Sequence, residues 1–492
     1  MSSQLPKNNT KELLIQEPSM LDSFIPVIAL VVLLVTAVIY FGNDSSYGPN
    51  QIGLLIAMGV AIVIGLKNGH QWHDIEKAIV NGISLSLGAV LILLAVGSLI
   101  GTWLLSGTVP TIIYYGLQII NPSWFYATAC ILCGIVALSI GSSWTTAATI
   151  GVALIGIAQG LALDPAITAG AVISGAYFGD KMSPLSETTN LAPAVAGSEL
   201  FSHIRYMFWT TIPSILTALV LFLILGFSEK TTASTSAISD LSRQLSEQFH
   251  ISLLNLIPLV VLFVLAIKKV PAFPAVAIGA LMGGVWAVFF QQDLIMRLAS
   301  GHTDILTANI KVVWTAFFDG VNISTGNSEL DKLLSGGGMS KMLNTIWLII
   351  CALSFGAVLE HLGMLHKFVN AILLTAKSTG SLIASTVATC IGTNLITADQ
   401  YMAIVMPGRM FKEEYNRRGL HPLVLSRTLE DSGTITSPLI PWNTCGAYMY
   451  SVLLVNPLDY IFYSFFNLLN PILAVVYGFI GFNIKKIATK AQ

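Results

Sequence analysis

Acid, base, hydroxyl and amide side chains crowd into one stretch, Ser174 to Arg205, which reads SGAYFGDKMSPLSETTNLAPAVAGSELFSHIR between two apolar segments. Lipid supplies no water to such groups, so at membrane depth they persist only when they face protein or line a cavity that handles something polar. The chemistry on offer is ion binding. Asp180 is its sharpest element, because a carboxylate in a dry cavity is costly to keep charged, and losing its proton becomes the condition for holding Na+. Competition of Na+ and H+ for one group at an alternating site is sufficient for antiport. Lys181 reads either as a structural partner of Asp180 or as an anchor at the cytoplasmic interface. Glu187, Thr188, Thr189 and Asn190 form a second cluster, in which Glu187 reads equally well as a solvated residue at a helix start.

Two further motifs, GSSWTT (141–146) and GTNLIT (392–397), place hydroxyls and an amide beside glycine. If a helix breaks there, the freed carbonyls join Ser142, Ser143, Thr145, Thr146, Thr393, Asn394 and Thr397 in offering the neutral oxygens that a small hard cation wants. Singly, each motif is also explained by close helix packing or by hydroxyls bonded to their own backbone. Their pairing favours function. Ser183-Pro184 and Ser437-Pro438 each join a hydroxyl to a helix breaker, which frees more carbonyls. The counterparts of Glu187 to Asn190 are Pro441, Trp442, Asn443 and Thr444, so only the first half keeps the acid and the site is asymmetric. In the second half Asp431, ahead of Thr436 and Ser437, is a better candidate than Glu430, while Asp399 caps the half-helix after Thr397. Asp180, Thr188, Asn190 and Asn394 are the expected Na+ ligands. Glu360 and His361 are expected at an interface, and His203 and Arg205 as anchors on the basic side.

The elements that must position these groups follow from composition. Of 492 residues, 54% are hydrophobic and only 10% charged, and mean hydropathy is +0.76. Soluble chains carry about a quarter charged residues; this is a polytopic all-α membrane protein. The net charge of −1 gives no reason to expect nucleic acid. Cys130 and Cys133 form a CxxC, but without nearby His or Cys to complete a metal set they read as buried hydrophobes. No phosphate loop, GxSxG elbow or HExxH motif supports an enzyme.

Spans are expected at about 23–41, 51–66, 83–105, 125–140, 145–162, 166–178, 204–227, 251–267, 272–290, 343–362, 382–396, 399–408 and 458–482, the pieces in 125–162 and 382–410 being broken at membrane depth. Lys7, Lys11, Lys67, Lys77, Lys268, Lys269, Lys485, Lys486 and Lys490 put both termini in the cytoplasm, with the basic group Arg409, Lys412, Arg417, Arg418 and Arg427 on the same side. The polar segments 228–250 and 291–340 fall outside, the latter with an amphipathic or re-entrant piece around LDKLLSGGGM (330–339), whose three glycines suit a tight turn. GSSWTTAATIG (141–151) has a counterpart in GTNLITADQYM (392–402), and DKMSPLSETTN (180–190) in GTITSPLIPWNT (433–444). With 83–105 running outward and 343–362 inward, the chain divides into 1–82, a first inverted repeat 83–227, a connection 228–342, a second repeat 343–482 and a tail 483–492.

GAYFGDKMSPLSETTNLAP (175–193), GSELFSHIRYM (197–207), LDKLLSGGGM (330–339) and LEDSGTITSPLIPWNTCGAYM (429–449) resemble the NhaC family of bacterial sodium/proton antiporters over nearly the whole chain. The resemblance implies the ion-transporter superfamily fold: an inverted repeat with two re-entrant hairpins, divided into scaffold and transport domains, usually dimeric and moving as an elevator. It puts hairpin tips near 141–146 and 392–397 and unwound helices near 180–190 and 431–444. It also implies a bacterial cytoplasmic membrane, Na+ and H+ as the transported ions and no cofactor. Some similar proteins exchange malate with protons for lactate with sodium, so a small organic carboxylate is the alternative solute.

Overall fold

Long apolar runs without water around them satisfy their backbone polar groups internally, and this chain does so as helices. The computed structural model describes residues 15–85, 87–119, 121–229, 235–268, 270–299, 304–324, 331 and 334–487. Among these, eight helices are long and apolar enough to cross a membrane, or ten if each of two bent pairs is one span.

The chain starts with α1 (Met20–Phe41) and α2 (Pro49–Lys67). They are antiparallel, with Asp22 at the start of one 3.8 Å from Lys67 at the end of the other. Then come α3 (Trp72–Leu85), α4 (Leu87–Leu105), α5 (Thr108–Ile119), α6 (Phe125–Ile140), α7 (143–160), α8 (Pro165–Met182), α9 (Glu187–Ala196) and α10 (Leu200–Ser228). A connection of α11 (Thr235–Gln248), α12 (Ile257–Ile267), α13 (Ala272–Phe290), α14 (Gln292–Leu298) and α15 (Ile305–Phe318) follows. The second series is α16 (Met339–His361), α17 (Met364–Thr375), α18 (Thr379–Thr397), α19 (Gln400–Arg417), α20 (Pro422–Leu429, extended by the wide turn Glu430–Thr434), α21 (Thr444–Leu453) and α22 (Phe465–Ile480). The order helix, short helix, broken helix, second broken helix, long helix thus occurs twice.

The first series breaks at glycine and hydroxyl residues, whereas in the second the expected break at 392–397 is helical and the chain breaks just past it, at 398–399, and again at 440–443. The first break in each is a left-handed residue followed by a cap: Gly141 (φ 75°) before Ser142, and Ala398 (φ 55°) before Asp399. The second breaks are shorter than expected. Helix α8 continues through Gly179 and Asp180 to Met182, so the unwound stretch is 183–186 and not 180–190. Its counterpart is 440–443, since 431–439 is still wound, partly as a wide and partly as a tight turn.

α16 is the central helix. Met342, Ile346, Ile349 and Leu353 form one stripe at 4-3-4 spacing that enters one apolar core, and Leu348, Ala352, Phe355 and Leu359 form a second stripe in the other. A helix apolar all round is buried all round. The connection departs from the sequence expectation, because 291–340 is no polar loop: it contains α15, which is too short to count as a span yet buries Ala308, Val312 and Ala316. The carbonyl of Ala316 meets Gly101 of α4. The expected turn stands at 336–338, where Gly338 N–H donates to the Gly97 carbonyl at 2.6 Å. Leu330, Lys332 and Leu333 of that motif lie outside the described residues, as do Lys7, Lys11, Lys269 and Lys490.

Helices α6 and α8 approach through small residues. A Cβ on Gly175 would stand 2.0 Å from the Cys130 carbonyl oxygen, and one on Gly179 2.2 Å from that of Gly134, whereas one on Gly59 meets nothing within 4 Å. Gly175→Ala is therefore expected to cost about 1–3 kcal/mol by overpacking, read as a lowered melting temperature in detergent, while Gly59→Ala leaves it within about 0.5 kcal/mol of the parent.

Candidate functional site

Ser142 starts α7 as its cap, accepting from Thr145 N–H at 3.2 Å, and this leaves the next amide pointing out of the helix end. The Asp180 carboxylate takes it. Its Oδ2 accepts from Ser143 N–H at 3.0 Å and from the Ser143 hydroxyl at 2.6 Å. A helix start carries partial positive charge and unsatisfied amides, so it stabilises a carboxylate that lipid would not. Asp180 is 8% exposed, and that remnant opens on a cavity of about 810 Å³.

Both first breaks meet at this cavity. Gly141 to Thr145 line it from one series and Thr397, Asp399, Gln400 and Tyr401 from the other, with Ser186, Glu187, Thr188 and Thr444 from the second breaks. Asp399 caps α19, accepting from Met402 N–H at 2.9 Å. The Tyr401 hydroxyl donates to Glu187 at 2.5 Å, joining the starts of α19 and α9 across the opening. Glu360 and Arg409 stand on the wall as well.

Not every candidate faces this space. Asn190 is exposed and its amide donates to the carbonyls of Pro184 (2.9 Å) and Ser186 (2.6 Å), which braces the unwound stretch. Asn394 is a strut of the other break: its amide donates to Gly433 O at 2.6 Å and Thr436 Oγ1 at 3.1 Å, and its side-chain oxygen accepts from Asn443 at 3.0 Å. Neither amide lines the cavity. Thr146, Thr436 and Ser437 bond backbone carbonyls of their own helices. Ser183 accepts from Leu185 N–H at 3.3 Å, and Thr189 donates to the Lys181 carbonyl at 3.0 Å. Thr188 donates to Glu430 Oε1 at 3.0 Å and so ties α9 to α20.

Behind Asp180 lies a charge cluster that the sequence reading did not assemble. Lys181 is fully buried and pairs with Asp431, donating also to Asn470 Oδ1 at 2.5 Å. It is neither a partner of Asp180 nor an interfacial anchor, because the α8 turn that aims Asp180 at α7 aims its neighbour at α20 and α22. Arg427, expected in a basic loop, is also fully buried: its guanidinium lies 4.5 Å over the Tyr206 ring, with Nε 3.8 Å from Asp431 Oδ2. Counting charge along a sequence cannot see burial. The i, i+4 spacing of Arg427 and Asp431 was the usable signal. His203 is buried against Ser426 at 2.9 Å and is no surface anchor, whereas Arg205 is exposed.

The sequence profile of the Na+/H+ antiporter family matches residues 13–177 and 175–482. The chain is 39% identical to the Na+/H+ antiporter NhaC of Alkalihalophilus pseudofirmus, over 89% of this chain and 91% of that protein. It is 36% identical to the malate-2H+/Na+-lactate antiporter of Bacillus subtilis, over 88% and 90%. Identity is also 36% to the arginine/ornithine antiporter ArcD of Halobacterium salinarum, over 95% and 93%.

Removing one partner from a buried ion pair strands the other. Lys181→Met alone is expected to destabilise the protein by about 3–5 kcal/mol, and Lys181→Met with Asp431→Asn by less than the sum of the two single changes; thermal unfolding of the four proteins in detergent measures both.

Proposed function

The chain belongs to the Na+/H+ antiporter family, and from that membership we propose that it exchanges Na+ for H+ by alternating access, with Asp180 as the group for which the two ions compete. The observation that carries this reading is the Asp180 carboxylate, held by Ser143 at the start of a broken helix and reached from a cavity walled by both series. Both bonds from Ser143 end on Oδ2. Oδ1 is the oxygen we assign to the ion.

Na+ shedding its water needs several oxygens in return, and the hydroxyls of Ser142, Ser186, Thr188, Thr397 and Thr444 are disposed on the cavity wall to join Asp180. Protonated, the carboxyl offers one fewer lone pair and no charge, so Na+ leaves. Asn190 and Asn394 serve as struts in this reading.

Basic residues give the sidedness. Lys67 ends α2 where Gly65 packs on Leu362 at the end of α16, two residues from Glu360 on the cavity wall. Arg409 and, at and just past the end of α19, Arg417 and Arg418 continue the same end. By the positive-inside rule the cavity opens to the cytoplasm of a bacterial inner membrane, with both termini on that side. A homodimer and an elevator displacement belong to the same reading, and cross-linking within and between subunits reads them out.

One observation favours a second reading. The cavity far exceeds the needs of a bare Na+, and Arg409 on its wall suits a small carboxylate, in line with the solutes in the names of two relatives.

In everted vesicles with a preformed pH gradient, Na+ alone is expected to collapse the gradient, and Asp180→Asn to abolish this with expression and insertion unchanged. Thr188→Val removes one oxygen, about 1 kcal/mol, and raises the apparent KM for Na+ roughly fivefold. Fluorescence dequenching measures each; a response only when malate or lactate is present selects the second reading.

A further inference from the structure

A second cavity, of about 350 Å³, lies at the other ends of the helices that wall the first. α4 lines the large cavity with Gly88, Ala89 and Ile92 and the small one with Ile100 and Leu104; α16 does the reverse, giving residues 341–348 to the small cavity and 353–360 to the large. The equivalent helices of the two series therefore run in opposite directions between the same two spaces. α7 and α21 span them too, passing from Thr145 to Val152 and from Thr444 to Ala447. At 1.5 Å per residue these intervals leave a septum roughly 5–12 Å thick.

The septum is thinnest at α21, and two stacked rings stand in it there. Trp144, from the first break, stacks on Tyr448 of α21 with centroids 4.1 Å apart and planes at 17°. The Tyr448 hydroxyl donates to the Trp144 carbonyl at 2.9 Å. Trp144 lines the large cavity; Tyr448 is fully buried behind it, and its own carbonyl accepts from Ser451, which lines the small cavity. One side chain from each series thus closes the shortest line between the two spaces.

We propose that the small cavity is the vestibule of the opposite membrane face and that the Trp144–Tyr448 stack is the gate between it and Asp180, opening for a small hydrated cation. The vestibule wall carries neutral oxygens from Tyr47, Asn322, Ser335, Thr345 and Ser451, the polar surface that a cation still holding its water requires. Lys341, its charged lining residue among those described, is exposed at the first turn of α16, where solvent screens it. Tyr47 follows α1 in the loop without Lys or Arg, which places this end outside by the same rule that puts the large cavity inside. The gate extends the Na+/H+ reading; the existence of the vestibule does not depend on it.

The test has two arms on the full-length chain. The five native cysteines are buried and unpaired, and an impermeant thiol reagent applied to the parent sets the background. Ser451→Cys is expected to label in right-side-out vesicles and not in everted ones, and Ala89→Cys the reverse; labelling of both from one side overturns the proposal. In the second arm, Tyr448→Ala is expected to let 22Na+ run down its own gradient without counterflow of H+, at least tenfold above the parent, while Tyr448→Phe, which keeps the stack, stays coupled. A Tyr448→Ala protein that is slower but fully coupled overturns the gate, and if it fails to insert, Trp144→Phe against Trp144→Ala gives the same two outcomes. Opposite-sided labelling with no Na+-only exchange in the parent keeps the vestibule and removes the Na+/H+ reading.

Discussion

A carboxylate at membrane depth has to be held by the protein, and here a helix is broken to hold it. Gly141 turns the chain left-handed, Ser142 caps α7, and the Ser143 amide becomes available to Asp180. Much else follows from that one bond. Asp180 sits in the last turn of α8, so α6 and α8 must pack closely enough to bring the break to it, and the glycines facing Cys130 and Gly134 permit this approach. The second series copies the device with Ala398 and Asp399, but its acid caps its own helix and does not reach across to another. Two similar breaks thereby become an asymmetric site.

The buried cluster gives this site a rigid back. Lys181 and Arg427 face Asp431 and Glu430, two cations against two acids, so the group is neutral when both acids are ionised. Thr188 reaches Glu430, Thr210 reaches Asp431 at 3.0 Å, and Asn470 bonds both Lys181 and Ser214. Helices α8, α9 and α10 of the first series are thereby bound to α20 and α22 of the second through polar contacts that lipid cannot compete with. A pair this deep adds little net stability over an apolar pair, yet breaking it is expensive, and so it specifies one arrangement. Asp180 and the charge cluster's Lys181 are adjacent residues, which joins any shift of the one to the other.

The sequence made the large features legible because local chemistry writes them. Apolar length marks spans, glycine with hydroxyls marks the break at 141–142, and an acid after GAYFG marks Asp180; GTNLIT (392–397) stays helical and the second break falls just past it, at 398–399. What it concealed depends on the fold. Lys181 and Asp431 are 250 positions apart, and no local pattern joins them; Arg427 was counted with its basic neighbours although a carboxylate one turn on and an aromatic ring elsewhere bury it. α15 was missed because fourteen residues are too few for a span, yet enough to pack on α4. The hydroxyl motifs were over-read in part: Thr146, Thr393, Thr436 and Ser437 bond their own helices, the plainer of the two readings, and so does Thr397, although with Ser142 and Thr188 it also lines the cavity.

The central claim is that one carboxyl group exchanges a proton for Na+. Direct Na+ binding to the purified protein, by calorimetry or 22Na+ scintillation across pH, tests it without any transport assay. With simple competition at one titrating group, the apparent Kd for Na+ should rise about tenfold for each unit that pH falls below that group's pKa, with one proton released per ion bound. Binding that is independent of pH, or that keeps this slope in Asp180→Asn, would contradict the account.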